Sequence, residues 1–180
     1  MIADYEEKIA SDFIGTIIDI ETIGNFSDYF NDSRRYKDII QVILGYIDGD
    51  HIRIYCAKSH DGIEALKSIT NTIIDSLRRP LYAFNSEFEQ CVLFHHIGRE
   101  FDIECELNSE KYEKKKNVVR YLNIPNYNDP FYDDGYKCIG AWERKQFDDA
   151  IAHNRACLLK ERDILIKRGF RTPDRIALVK

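Results

Sequence analysis

The chain of 180 residues lacks several features that mark common classes of protein. It has no apolar run near the roughly 18–20 residues that a membrane-spanning helix needs, so we expect no membrane segment. Residues 1–13 carry acidic side chains, which are foreign to a secretory signal peptide (Asp4, Glu6, Glu7 and Asp12). Internal repeats and low-complexity segments are also missing. With 44% hydrophobic and 32% charged residues, the composition predicts one globular domain.

The cysteines lack the spacing of a paired zinc signature. There are five, an odd number, and none stands in a CxxC pair (Cys56, Cys91, Cys105, Cys138 and Cys157). Because three of them lie in apolar segments, we expect reduced thiols in the core of a cytoplasmic protein. A nucleotide-binding glycine loop and a serine-triad signature are missing as well.

The chain also has no excess of basic charge. The formal net charge is -5, which argues against tight, non-specific binding of nucleic acid. A nuclease stays compatible with this charge, because a carboxylate cluster that binds metal ions makes the metal-free chain more acidic. Basic side chains form two local clusters, each of which predicts a solvated face (Arg34, Arg35 and Lys37; Lys114, Lys115, Lys116 and Arg120).

Hydrophobic periodicity and turn signals predict alternating strands and helices. We expect strands at 15–22, 39–46, 51–55, 81–84 and 101–107, and helices at 61–79, 86–97, 109–122 and 148–167. Asp48-Gly49 predicts a hairpin between the second and third strands, and residues 123–135 predict an ordered loop near a site. The expected fold class is α/β, with a central five-stranded mixed sheet flanked by helices. The domain would span 14–168, after a lead-in at 1–13 and before a tail at 169–180.

Two carboxylates stand inside the first predicted strand. Asp19 and Glu21 interrupt a β-branched apolar run, and residues two apart on a strand point to the same face. Their mutual repulsion and desolvation are costly unless a cation, most simply a divalent one, neutralises them. The alternative is an edge strand that carries two solvated acids.

A third candidate carboxylate, Glu89, lies at the start of the helix predicted at 86–97. Glu89 follows the strand predicted at 81–84, and a helix start just after a strand is a place where a site would lie. A structural interpretation competes with this one, because Ser86 and Glu89 have the S-x-x-E spacing of a capping box.

The last predicted helix contributes a polar face. Asp149, His153, Cys157 and Glu161 stack along one side of a helix at four-residue spacing. His153 alone is more often a satisfied helix-face histidine than a functional group. Thiolate is a soft ligand that suits Mg²⁺ poorly, so Cys157 departs from an all-oxygen site.

Together these segments resemble the DEDD-type exonucleases of the ribonuclease H-like superfamily over residues 14–168. The string Asp-Ile-Glu-Thr before Gly24 is similar to the first motif of that family. Asn85, Phe88 and Glu89 match its second motif, with Glu in place of Asp. His153 and Cys157 take the positions of the Tyr and Asp of its third motif.

The region before the last helix resembles a subfamily of predicted nucleases. It has an Asp-Gly turn and a Trp ahead of a His-Asn pair, here His153-Asn154. Asp133 or Asp134 would supply the missing carboxylate, although a turn role beside Gly135 is favoured for either. Trp142 is predicted to anchor the core rather than stack on bases.

The resemblance implies a metal-dependent 3′–5′ exonuclease with two Mg²⁺ or Mn²⁺ ions. The ligands it implies are Asp19, Glu21, Glu89 and Cys157, with His153 as the general base. Contacts to a single-stranded DNA or RNA 3′ end would come from Thr22, Asn85, Phe88 and Asn154.

Two alternatives to this function stay open. One is a catalytically reduced module that binds nucleic acid or a protein partner. The other is a site in which His153, Cys157 and a carboxylate hold Zn²⁺ or Mn²⁺.

Overall fold

The computed structural model describes all 180 residues as one six-stranded mixed sheet with five α-helices. The strands are β1 (Ile2–Lys8), β2 (Thr16–Gly24), β3 (Ile39–Asp48), β4 (His51–Ala57), β5 (Leu81–Ala83) and β6 (Cys105–Glu106). The helices are α1 (His60–Ile73), α2 (Ser86–Ile97), α3 (Lys115–Tyr121), α4 (Gly135–Glu143) and α5 (Phe147–Arg168). A short 3₁₀ helix covers Ser33–Tyr36.

The sheet order is β1-β4-β3-β2-β5-β6. The first four strands in this order pair antiparallel, and β5 and β6 run parallel to β2. Strand β2 therefore lies inside the sheet, with β3 on one side and β5 on the other. This placement excludes the edge-strand interpretation of Asp19 and Glu21.

The expected count of five strands is wrong by one. The additional strand is β1, which lies in the segment expected to be only a lead-in and pairs with β4 from Ile2 opposite Ala57 to Lys8 opposite His51. It is an edge strand with alternating burial, and its acidic side chains hide the apolar alternation. By contrast, the predicted hairpin is confirmed, with the turn at Gly49 in the left-handed region (φ +64°).

Several element boundaries also differ from expectation. Strand β6 has two residues instead of seven, and α1 ends at Ile73 instead of Arg79. The charged segment 109–122 is helical only from Lys115. Helix α4 occupies residues for which no element was expected, and Asp134 precedes it as the N-cap. Local signals are weakest in short or polar elements, whose conformation depends on tertiary contacts.

The core lies where helices cover the sheet. Helix α5 packs across β2, β3 and β4, and α1 and α2 also pack on the sheet. The isoleucines of β2 are buried, as expected for a strand covered on both faces (Ile17, Ile18 and Ile20). No helix has both the length and the apolar character needed to cross a membrane. The packing of α5 over β2 decides which side chains meet in the site.

Candidate functional site

Asp19 is held from two directions by side chains of other elements. Asn154 of α5 donates through Nδ2 to Asp19 Oδ2 at 2.7 Å and to the Asp19 carbonyl oxygen at 3.3 Å. Lys115 of α3 donates through Nζ to Asp19 Oδ1 at 3.1 Å. Asn154, expected to contact substrate, is fully buried beneath Asp19. Its role in the structure is to position that carboxylate.

A glycine on the neighbouring strand permits this contact. Gly45 of β3 lies opposite Asp19, and a Cβ atom at position 45 would come within 1.9 Å of Asn154 Oδ1. Any larger residue there would push α5 away from the sheet. Gly45 thus lets Asn154 reach the central strand.

Glu21 lies at an irregularity of β2. The register with β3 shifts between Glu21 and Thr22, which is the signature of a β-bulge. Burial and the nearby Asp19 charge raise the pKa of Glu21 to about 7, although His153 and Lys115 oppose that rise. Thr22 is half-buried beyond the bulge. The predicted same-face pair of Asp19 and Glu21 is confirmed, since both carboxylates face α5, where Asp19 contacts Asn154 and Glu21 lies 3.8 Å from His153.

Lys115 is the unexpected member of the site. Its ammonium bridges the carboxylates of Asp19 and Glu161, and its side chain is only 19% exposed. Burial by itself lowers the pKa of this amine, but Asp19, Cys157 and Glu161 raise it overall well above its usual value. The expected solvated face is therefore wrong for Lys115, which supplies a permanent positive charge inside the cleft.

Glu89 is available to the site because the capping box does not form. Helix α2 begins at Ser86 with Asn85 as its N-cap residue, and no side chain caps it. Glu89 is 4% exposed, and its Oε2 has no hydrogen-bond partner. Burial, followed by repulsion from Asp19 and Glu161, raises the pKa of Glu89 well above its usual value.

Glu161 is a second buried carboxylate with a free oxygen. It is fully buried on α5, one oxygen accepts from Lys115, and Oε2 has no partner. Burial and the Asp19 charge raise its pKa well above the usual value. Buried polar atoms without partners are rare in folded proteins, and here two of them lie beside further carboxylates. Such an arrangement can accept another cation.

His153 connects the carboxylates of β2 to a loop. Its Nδ1 lies 2.7 Å from Asp129 Oδ1, while Nε2 lies 3.7 Å from Cys157 Sγ and 3.8 Å from Glu21 Oε1. Burial lowers the pKa of the imidazole, but Cys157, Glu21 and Asp129 raise it overall to about 12. In the metal-free cleft these neighbours favour the protonated ring, whereas a general base must be neutral and a metal ion at Nε2 would displace the proton.

Asp129, which the sequence analysis did not predict as a site residue, is fixed by several hydrogen bonds to its carboxylate. It accepts from the backbone N–H groups of Phe131 and Asp133, both at 2.9 Å, and from Lys160 Nζ at 2.7 Å. Burial raises its pKa, but His153 and Lys160 lower it overall to below the usual range. The available signal was Lys160, a charged residue two turns after His153 on the same face of the helix.

Seven of the nine predicted site residues line a single cleft of about 220 Å³, together with Lys115 and Asp133 (Asp19, Glu21, Asn85, Phe88, Glu89, His153 and Cys157). Only Thr22 and Asn154 do not line it. Asp133 pairs with Lys160 at 2.7 Å. Asp149 is exposed, outside the cleft. Trp142 anchors the core as predicted, with its Nε1 donating to the Ala57 carbonyl at 2.6 Å.

The chain matches no protein-family model, no curated protein and no solved structure.

Proposed function

We propose that this cleft binds divalent cations and hydrolyses nucleic-acid phosphodiesters, as a 3′–5′ exonuclease on a ribonuclease H-like fold. One observation carries the proposal. Asp19, Glu21, Glu89 and His153 come from three separate segments and converge on one cleft at the central strand. Buried carboxylates gathered in a cleft are expensive for a fold unless they serve a function.

The strand order supports the fold assignment. Without the edge strand β1, the order β4-β3-β2-β5-β6 contains three antiparallel strands followed by two parallel ones. This arrangement agrees with the order expected from the resemblance, in which a hairpin precedes α/β units. The acidic strand β2 then lies at the centre, beside the start of α2.

The donor set fits Mg²⁺ or Mn²⁺ on its carboxylate side. Asp19, Glu21 and Glu89 offer hard oxygen ligands, and Glu89 Oε2 has no partner within the protein. When bound, such ions activate a water and stabilise the leaving oxygen of a phosphodiester. Lys115 would attract a phosphate oxygen to the same place. We assign His153 no proton-accepting step, because Asp129 holds its Nδ1 while its Nε2 faces Cys157 and Glu21.

The mouth of the cleft suits single-stranded nucleic acid. Phe88 packs against Phe26 and Tyr36, with ring centroids 6.3 and 6.1 Å apart, and Phe26 is 41% exposed. The Arg35 guanidinium lies 5.4 Å from the Phe26 ring centroid. Aromatic faces stack on unpaired bases, and basic groups hold the backbone. The exposed Asn85 lies beside them.

A catalytically reduced binding module is the second candidate, and Lys115 favours it. Its ammonium already neutralises Asp19 and Glu161 without any metal ion. In that case the cleft would bind nucleic acid or a protein partner without cleaving it.

Cleavage of end-labelled oligonucleotides separates the two candidates. With Mg²⁺ or Mn²⁺, the wild type should shorten single-stranded DNA or RNA from its 3′ end, and a chelator should stop the reaction. Asp19→Asn should remove the activity, whereas Asp149→Asn, a change at an exposed acid outside the cleft, should preserve it. Oligonucleotide binding without cleavage under every metal condition would instead establish the reduced module.

A further inference from the structure

We propose that Glu21, His153 and Cys157 form a binding site for a single borderline-soft metal ion of the Zn²⁺ class. The site stands on its own geometry. It rests on the proposed function only for the reaction that the ion would serve.

The three donor atoms already have nearly the spacing of metal ligands. One donor atom from each residue lies within 4.8 Å of the others. His153 Nε2 is 3.7 Å from Cys157 Sγ and 3.8 Å from Glu21 Oε1. Tetrahedral zinc with bonds of about 2.0–2.3 Å separates its ligands by about 3.4–3.6 Å. The two separations that involve His153 are therefore within about half an ångström of those in a zinc site.

The orientation of His153 is the second, independent observation. A histidine that ligates zinc donates its other ring N–H to a carboxylate or carbonyl, which fixes the ring. Here Nδ1 lies 2.7 Å from Asp129 Oδ1, which leaves Nε2 directed at Cys157 and Glu21. Asp129 is itself held by Lys160 and by backbone N–H groups. This outer support is already in place without any ion.

The donor types select the metal. A set of one imidazole nitrogen, one thiolate and one carboxylate oxygen suits Zn²⁺ and Co²⁺, whereas Mg²⁺ prefers oxygen alone. Three protein ligands leave a fourth position for water or substrate, as in catalytic zinc sites. Cys157, whose thiol suits a magnesium site poorly, would act as the thiolate ligand of this ion.

Cobalt spectroscopy tests the site without relying on activity. Chelator-stripped protein titrated with Co²⁺ should bind one ion per chain and develop a thiolate-to-cobalt charge-transfer band. Zn²⁺ should abolish this band by competition and should raise the Tm. Cys157→Ser should lose the band, whereas Cys91→Ser, at a buried thiol outside the cleft, should retain it. Asp129→Asn should weaken Zn²⁺ binding by about 10–100-fold.

The Co²⁺ titration of the wild type tests the metal site even if a variant fails to fold. Absence of a thiolate-to-cobalt band in folded wild type would overturn the site, as would a band that persists in Cys157→Ser. Mg²⁺-dependent cleavage without such a band would overturn this inference and leave the proposed function standing. A band that Cys157→Ser removes, in a protein that never cleaves, would support the site and refute the hydrolase.

Discussion

Two halves of the same cleft differ in how the negative charge of their carboxylates is neutralised. Each half takes one carboxylate from β2 and at least one group from α5, and the first half adds Lys115 from α3. They are the carboxylate–lysine half (Asp19, Lys115 and Glu161) and the glutamate–histidine–cysteine half (Glu21, His153 and Cys157). In the first half the chain supplies its own cation, because Lys115 bridges both carboxylates. In the second half His153 Nε2 lies 3.7 Å from Cys157 Sγ and 3.8 Å from Glu21 Oε1, and no lysine bridges these groups.

The contrast indicates where an external ion is needed. A lysine side chain can replace a metal ion as counter-charge for oxygen ligands, but it cannot bridge a thiolate, an imidazole and a carboxylate in one tetrahedral geometry. We therefore expect removal of the internal cation to harm the first half most, and a transition metal to stabilise the second.

The largest expected effect is that of Lys115→Met. The variant leaves Asp19 and Glu161 buried without their counter-charge, which should lower the free energy of unfolding by about 3 kcal/mol. Thermal unfolding should show a Tm lower by several degrees, and Mg²⁺ or Mn²⁺ should restore part of the loss. Lys116→Met, at the exposed neighbouring position, should change little. Equal Tm values for the two variants would remove the proposed role of Lys115.

A smaller effect is expected at Gly45, which lets Asn154 reach Asp19. Gly45→Ala places a methyl group against Asn154 Oδ1 and should cost about 1–3 kcal/mol of stability. Adding Asn154→Ala should relieve the clash, so that the double variant is more stable than the sum of the single changes predicts. Additive effects in chemical denaturation would show that Gly45 does not admit Asn154 to the sheet.

The smallest effect concerns Glu89 in the absence of metal. Its raised folded-state pKa means that the folded protein holds the proton more tightly than the unfolded chain does. The side chain therefore costs stability once the pH exceeds its unfolded value of about 4.3, and this cost grows until the folded carboxyl ionises. Glu89→Gln should raise the Tm at pH 7 by about 2–4 °C for each kcal/mol gained.

The pH dependence provides the control for Glu89. The gain should vanish below about pH 4, where glutamate is protonated in both states. Glu64→Gln, at an exposed position on α1, should give no comparable gain at any pH. If Glu89→Gln lowers the Tm at neutral pH without metal, Glu89 is engaged in an interaction other than the repulsion described above.

The sequence predicted those parts that depend on local signals. The β-branched run of β2 and the Asp48-Gly49 turn are determined by neighbouring residues, and both were confirmed. Asp19, Glu21, Glu89 and His153, which the resemblance grouped together, line one cleft.

The parts that were missed depend on long-range contacts. Lys115 belongs to a run of lysines that looks like any solvated face, and only the packing of α3 against α5 carries it into the cleft. Asp129 lies in a loop whose path over α5 has no periodicity to reveal it. The alternation of β1 is masked by its charged residues, because an edge strand needs only one covered face.

The most direct test of the account is the position of a metal ion in crystals of the protein soaked with Zn²⁺. Anomalous diffraction at the zinc edge should show one strong peak between Glu21, His153 Nε2 and Cys157 Sγ, with Lys115 still bridging Asp19 and Glu161. A peak between Asp19 and Glu161 with Lys115 displaced, or no peak in the cleft at all, would contradict the division of the cleft into two halves.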